Sequence, residues 1–387
     1  MSAPTPELIS SVADVAEGLV EDIIRLTTEI TEVAAPTNDE SDRAALVHRR
    51  FHELGYQDVA TDGLSDVVGR LPGIHSDRPA VLLAAHTDTV FPRDVPIKVT
   101  RKDDILAAPG VGDNSVSVAT VALLSAALNR LGIVPATDIY VTGNVGEEGL
   151  GDLRGMRAVV DGLPNLGAAI AVEGHSLGRI TYRAVGSKRF RVTVTGPGGH
   201  SWGDAGRLSA IHAMARLVAK LDEIPLTSEP KTSLNVGLFE GGISVNTIAP
   251  VATIVIDMRS TSADALERLV ARVESTTKTV RSKEISVQVE VVGDRPAGEV
   301  QIETGIVPIG VSVLKCLGID AICDASSTDA NIPISRGIPA MCIGLTTGAN
   351  AHRVDEFIRL EPLSRGFTQL ILTTLAVCDA LADGKLA

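Results

Sequence analysis

Ala80-Val81-Leu82-Leu83-Ala84-Ala85-His86-Thr87-Asp88 is a run of six apolar residues that ends in a histidine and, two residues later, an aspartate. An uninterrupted run of that length reads as a strand buried on both faces. The pattern recurs twice. Ile139-Tyr140-Val141 leads to the pair Glu147-Glu148, and Ala168-Ala169-Ile170-Ala171-Val172 leads to Glu173. In an open α/β sheet, ligands collect in the crevice at the carboxyl ends of the strands. Charged residues that close buried strands therefore mark a site. Asp113, in Val-Gly-Asp-Asn, and His352, in Ala-His-Arg, complete the set, which uses two of the chain's eight histidines.

Outward from this stretch the chain alternates strand and helix patterns. Residues 11–32 carry an apolar stripe at helical spacing (Val12, Val15, Leu19, Ile23, Ile24, Leu26, Ile30). Pro36-Thr37-Asn38 breaks it, and Ser41 is placed to cap a second helix reaching about Leu54. Residues 67–71 and 81–85 read as strands and 115–131 as a mostly buried helix, the alternation of a mostly parallel sheet.

Near Ala184 the style changes to strand (190–195), helix (208–221), strand (233–238), strand (253–259), helix (263–279) and strand (285–292). That order is a ferredoxin-like βαββαβ unit, complete in itself. Helix and strand signals then resume around 306–317, 321–323, 340–344 and 363–382. The expectation is an α/β catalytic domain in two parts, 1–183 and 295–387, with a lid or dimerisation domain, 184–294, inserted between them.

Composition narrows the function. A length of 387 residues allows two or three domains, and 44% hydrophobic residues supply a core built from Ala, Val, Leu and Ile, since aromatics are 3%. A net charge of −13 argues against nucleic acid, whose phosphates need clustered Lys and Arg. Residues 1–9 lack the basic start and apolar run of a signal peptide. Apolar stretches read as shorter than the roughly 20 residues of a membrane span. Cys316, Cys323, Cys342 and Cys378 have no Cys-x-x-Cys spacing and read as free thiols, so the expected location is the cytoplasm.

The residue types at the strand ends suit metal chemistry. Zinc accepts imidazole nitrogen and carboxylate oxygen, and catalytic sites keep a position open for water. Two metals about 3.5–4 Å apart share a bridging carboxylate, for which Asp113 is the natural candidate. One bridge and two further ligands for each metal require five side chains: His86, Asp113, Glu148, Glu173 and His352. The neighbour Glu147 is then free to take a proton as general base. Asp88 is placed to hold the His86 imidazole through its second nitrogen. His48 and His52 stand four apart on a predicted helix but lack the intervening Glu of a zinc-protease helix, so they read as an ordinary helix face. His75 and His212 read as surface or packing residues. Pro197-Gly198-Gly199 lacks the Lys-Ser/Thr of a phosphate loop.

The motifs Ala85-His86-Thr87-Asp88-Thr89-Val90-Phe91-Pro92, Gly112-Asp113-Asn114, Gly146-Glu147-Glu148-Gly149, Val172-Glu173, Gly196 to Ser201 and Ala351-His352 resemble one metallohydrolase family along the whole chain. It comprises tripeptide aminopeptidase, glutamate carboxypeptidase, acetylornithine deacetylase and succinyl-diaminopimelate desuccinylase. The resemblance implies two Zn²⁺ per chain, with Co²⁺ or Mn²⁺ as alternatives. One ion would sit on His86, Asp113 and Glu173, the other on Asp113, Glu148 and His352. Glu147 would be general base, Asp88 the histidine orienter, and His200 an oxyanion stabiliser, often acting across a homodimer. Asn246 and Arg259 match positions that hold a substrate carboxylate.

The expected activity is hydrolysis of amide bonds in short peptides, as an exopeptidase, with N-acyl amino acid deacylation as the alternative. A mononuclear hydrolase and a non-catalytic binding module are the rivals; the latter should lack a ligand or the base, and this chain lacks none. Ser115, where relatives often carry Lys or Gly, and His175 after Glu173-Gly174 depart from the family pattern and are expected to line a specificity pocket.

Overall fold

The computed structural model describes residues 4–163 and 165–386. The chain divides into two compact units, Met1–Ala184 with Glu299–Ala387, and Val185–Gly298.

In the first unit the Ala80–His86 strand is buried along its whole length. Successive side chains point to opposite faces of a sheet. Val81, Leu83 and Ala85 accordingly join one core, while Leu82 and Ala84 join another. The Leu166–Glu173 strand divides the same way, Ala168, Ile170 and Val172 on one face and Ala169 and Ala171 on the other. Helices cover both faces: Arg154–Gly162 contributes Met156, Val159 and Val160 to the smaller core, and Leu363–Ala382 contributes Phe367, Leu370 and Ile371 to the larger. Residues 80–86 and 168–172 are all buried, which is why the two runs contain no polar residue until they end.

Four parallel strands form the middle of the sheet in the order Ile139–Asn144, Ala80–His86, Leu166–Glu173, Ala340–Gly344. Antiparallel strands flank them, Val67–Leu71 on one side and Arg179–Ala184 on the other. The register pairs His86 with Asn144 and Gly344 with Glu173, so the carboxyl ends lie along one edge. A separate small antiparallel sheet joins Gly348–Ala349, Phe357–Arg359, Ile105–Ala107 and Thr100–Lys102. It ties the 350–356 loop to the segment that leads into Asp113.

Three local expectations are corrected. The helix expected over 11–32 is two helices, Pro6–Glu17 and Val20–Thr31. The chain turns at Gly18-Leu19, yet Val12, Ala16, Ile23 and Ile30 enter one core, so the apolar stripe reads through the break. Ser41 is not a cap. It is the first residue of the Ser41–Glu53 helix, and Glu40 precedes it, accepting from the Asn38 amide at 2.9 Å and from Arg154 at 2.7 Å. The 21 residues Val111–Leu131 are long and apolar enough to cross a membrane, contrary to the reading of the apolar stretches, but they lie mostly buried inside this unit.

The second unit runs Gly186–Thr195, Ala210–Asp222, Thr232–Gly241, Val251–Ser260, Ala263–Lys278, Ser286–Arg295, a βαββαβ order. Its antiparallel sheet places Val251–Ser260 and Gly186–Thr195 in the middle, with Thr232–Gly241 and Ser286–Arg295 at the edges. Phe190, Val192, Val194, Ile254, Ile256 and Met258 pack with Met214, Leu217, Leu269 and Val273 of the two helices. The intervening residues form cross-strand ion pairs, Arg189 with Asp257 and Arg191 with Glu290.

Candidate metal centre

His86 closes its strand with its side chain 1% exposed, and Nδ1 lies 3.1 Å from the main-chain carbonyl oxygen of Asp88. A carbonyl only accepts, so Nδ1 carries a hydrogen, and it is Nε2 whose lone pair becomes available whenever the ring is neutral. Nε2 faces Asp113 Oδ1 at 3.2 Å and Glu173 Oε2 at 3.8 Å without a hydrogen bond to either. His352 Nε2 stands 3.1 Å from Asp113 Oδ2 and 2.9 Å from Glu148 Oε1, and that glutamate oxygen also lacks a hydrogen-bond partner.

Asp113 thus turns one oxygen to each histidine. Two groups result among the described residues, His86–Asp113–Glu173 and Asp113–Glu148–His352, each with its donor atoms within 4.8 Å of one another. Buried polar atoms are normally hydrogen-bonded. Imidazole nitrogens and carboxylate oxygens that converge without bonding to one another fit cations, and the donor set suits zinc.

The electrostatics agree. Burial alone would push the His86 imidazole down, but Asp113, Asp88 and Glu173 outweigh it and hold it well above the ordinary value. Asp113 and Glu148 raise His352 to about 10. Burial opposes ionisation of Asp113, yet His352 and His86 hold its carboxyl well below the usual range. A field that pulls protons onto two histidines attracts a divalent cation in the same way.

The surrounding chain explains how these side chains are held. The Asp113-Asn114 peptide is cis, and Asn114 bridges to the strand carrying Glu173: its Nδ2 donates to the Val172 carbonyl at 2.8 Å and its Oδ1 accepts from the Gly174 amide at 3.1 Å. His352 adopts a left-handed backbone (φ 65°) in the loop that the small sheet supports. Its side chain is the most exposed of the group, at 53%.

Asp88 is placed differently from the expectation. Its carboxylate stands 3.6 Å from His86 Nδ1, because its own carbonyl takes the nearer position. The carboxylate instead accepts from the Glu147 amide at 3.0 Å, the Glu148 amide at 2.9 Å and Thr37 Oγ1 at 2.9 Å. It therefore fixes the two-glutamate turn. Burial works against its ionisation, but His86 and the two amides outweigh burial and hold its pKa low.

Ser115 is fully buried and does not line an open pocket. His175 packs against the buried carboxylate of Glu356 at 2.9 Å. His48 and His52 lie apart from both groups on an exposed helix face, where His48 Nδ1 bonds Thr61 Oγ1.

Two residues that sequence reasoning missed support the site. Arg43, inside a polar helix start, is fully buried and donates to the carbonyls of Val33 (2.8 Å), Thr87 (2.8 Å) and Thr31 (3.3 Å). Burial lowers it to about 10, and Asp88 opposes that shift. Glu356, fully buried, binds the loop that carries Asp113. Glu356 had one sequence signal, its place four residues after His352, and Arg43 had none.

His200, Asn246 and Arg259 belong to the second unit. His200 lies on the Gly199–His200 strand, paired with Thr247–Ile248. It is exposed, and its Nδ1 accepts from the amides of Trp202 and Gly203, each at 3.2 Å. That assignment leaves the hydrogen on Nε2, a donor facing outward. Asn246 accepts from the Ser201 amide through its carbonyl at 2.9 Å and from Ser244 Oγ through its side chain at 3.0 Å. Arg259 Nε donates to Asp257 Oδ2 at 2.7 Å.

Comparison with known proteins gives three kinds of likeness. The profile of peptidase family M20/M25/M40 matches residues 82–374. A probable carboxypeptidase of Trichophyton verrucosum is 26% identical over 265 residues, 62% of this chain, and the match spans only 56% of that protein's length. An acetylornithine deacetylase of Myxococcus xanthus is 28% identical over 320 residues, covering 76% of this chain and 79% of the relative. A Staphylococcus aureus tripeptidase structure superposes with a TM-score of 0.79 at 20% identity, covering 93% of this chain and 99% of that one.

Proposed function

Because the chain belongs to peptidase family M20/M25/M40, we propose that it is a dinuclear zinc hydrolase of amide bonds in short peptides, working as an exopeptidase. The observation that carries this reading is Asp113, whose two oxygens face two different histidines, each backed by a further carboxylate. His86, Asp113 and Glu173 would hold one ion, and Asp113, Glu148 and His352 the other. Such ions, when bound, acidify water and polarise the scissile carbonyl. Glu147 takes the proton from the attacking water and passes it to the leaving amine, and the Asp88 carboxylate holds its amide for that task. His200, with its hydrogen on Nε2, donates to the oxyanion, and Asn246 and Arg259 hold the substrate carboxylate.

The likeness to an acetylornithine deacetylase supports N-acyl amino acids as the second substrate class. A homodimer formed through the second unit is supported by its edge strand Thr232–Gly241, which exposes Leu238 and Phe239. A cytoplasmic location is supported by four free cysteines. Metal analysis of protein purified without chelator tests the core of the proposal. Two ions per chain are expected, and both should be lost or weakened together in Asp113→Ala. One ion held at full affinity in that variant would refute the bridge.

A further inference from the structure

Glu356 lies four residues beyond His352 and its side chain is completely buried. Each of its oxygens is occupied. Oε2 accepts from the Gly110 amide at 2.7 Å, and Oε1 accepts from the amides of Gly112 at 3.0 Å and Asp113 at 2.8 Å and from His175 Nε2 at 2.9 Å. One carboxylate thus gathers three segments that carry proposed metal ligands. The Asp113 turn binds it through main-chain amides, the Glu173 strand reaches it through His175 two residues on, and the His352 loop supplies Glu356 itself.

The packing admits little else. A Cβ on Gly112 would stand 2.3 Å from His175 Nε2, and one on Gly348 would stand 2.8 Å from the same ring. Glycine at both places lets the imidazole lie between the two loops. The His175 nitrogen that faces a carboxylate must carry the hydrogen, so the ring donates to Glu356 in a fixed tautomer. Amide groups from a turn are otherwise free to rotate with it. Held by one charged acceptor, they fix the direction in which the Asp113 side chain leaves the backbone.

We infer that Glu356 and His175 form a positioning clamp that sets the bridging carboxylate and so couples the two metal subsites. The inference rests on the two-metal reading above. Neither residue belongs to the two candidate ligand groups; both act through Asp113 and its neighbours.

The test is titration of metal-free protein with Co²⁺, followed by calorimetry and visible absorption. Glu356→Gln places an amide nitrogen against at least one main-chain donor. It should weaken both Co²⁺ sites together by about 10–100-fold, the usual scale for groups that orient metal ligands, and change the absorption band. His175→Gln keeps a donor at the Nε2 position and should bind Co²⁺ nearly as wild type does, whereas His175→Leu should weaken both sites.

Wild-type affinity and spectrum in Glu356→Gln would overturn the clamp, as would weakening confined to one site. If Glu356→Gln fails to fold by circular dichroism, the His175 pair decides: equal behaviour of the Gln and Leu variants refutes the clamp. A wild-type chain that binds fewer than two Co²⁺ refutes the dinuclear reading itself, and the clamp with it.

Discussion

Replacing Asp88 with Asn tests whether this buried carboxylate holds the two-glutamate turn. The wild-type oxygens receive two main-chain amides and the Thr37 hydroxyl. Thr37 can reverse its role and accept from the new amide nitrogen, but a main-chain N–H cannot. Whichever way the substituted side chain faces, the amide of Glu147 or of Glu148 meets a donor. An unsatisfied buried donor costs about 1–3 kcal/mol. Loss of the negative charge beside the fully buried Arg43 guanidinium adds to that. The expected destabilisation of the first unit is roughly 2–5 kcal/mol. Urea unfolding of metal-free protein, followed by circular dichroism, measures it. Because Glu147 would move with its backbone, turnover should also fall about 10²-fold, the scale of an ångström-sized misplacement. A stability loss below about 0.5 kcal/mol, within the range of ordinary surface substitutions, together with unchanged turnover would refute the role given to Asp88.

Three further outcomes are expected. Glu147→Gln should lower turnover by at least about 10²-fold while metal content by elemental analysis stays at two ions; near-normal turnover removes Glu147 as base. His200→Ala should lower turnover by roughly 10²–10³-fold with metal content unchanged. If His200 acts across a dimer, mixing this variant with Glu147→Gln should restore activity once subunit exchange is verified, and no recovery argues against action in trans. Burial, reinforced by Asp62 and Asp329 and opposed by the Val145 amide, raises Asp66 to about 8. An unfolded aspartate ionises near pH 4. Between about pH 4 and pH 8 the folded form keeps a proton that the unfolded form has lost, so this group makes stability fall as pH rises through that window. Asp66→Asn should flatten the slope in unfolding experiments across that range, and an unchanged slope rules out Asp66 as its source.

The sheet was legible because two of its middle strands are apolar runs that stop at ionisable residues. Ala80 to His86 and Ala168 to Glu173 announce both the strand and its end. The order of elements in the second unit was legible because helix and strand periods alternate there with clear breaks. The hidden features are those whose partners lie far away in sequence. Arg43 sits among Ser41, Asp42 and Arg49-Arg50 and looks like a surface arginine, yet a carbonyl 44 residues away receives its hydrogen bond. Glu356 follows Arg353 and Asp355, which are exposed and paired with each other, so nothing local separates it from them. His175 was legible as unusual but not as packed, because the glycines that admit it are Gly112 and Gly348. The break at Gly18-Leu19 was masked by an apolar stripe that continues across it.

The division of the first unit by an inserted one has a consequence during synthesis. A chain made from its N-terminus completes residues 185–298 before Ala340–Gly344 and Leu363–Ala382 exist. The inserted unit has its own core and can fold as soon as it emerges. The larger one must wait with its Leu166–Glu173 strand lacking a neighbour on one side. His86, Asp113 and Glu173 are already made at that stage, but the carboxylate that holds the Asp113 turn arrives only after the insertion. On the two-metal proposal, a nascent chain would therefore carry part of the ligand set before the carboxylate that orients it, and the complete site would belong only to the finished protein.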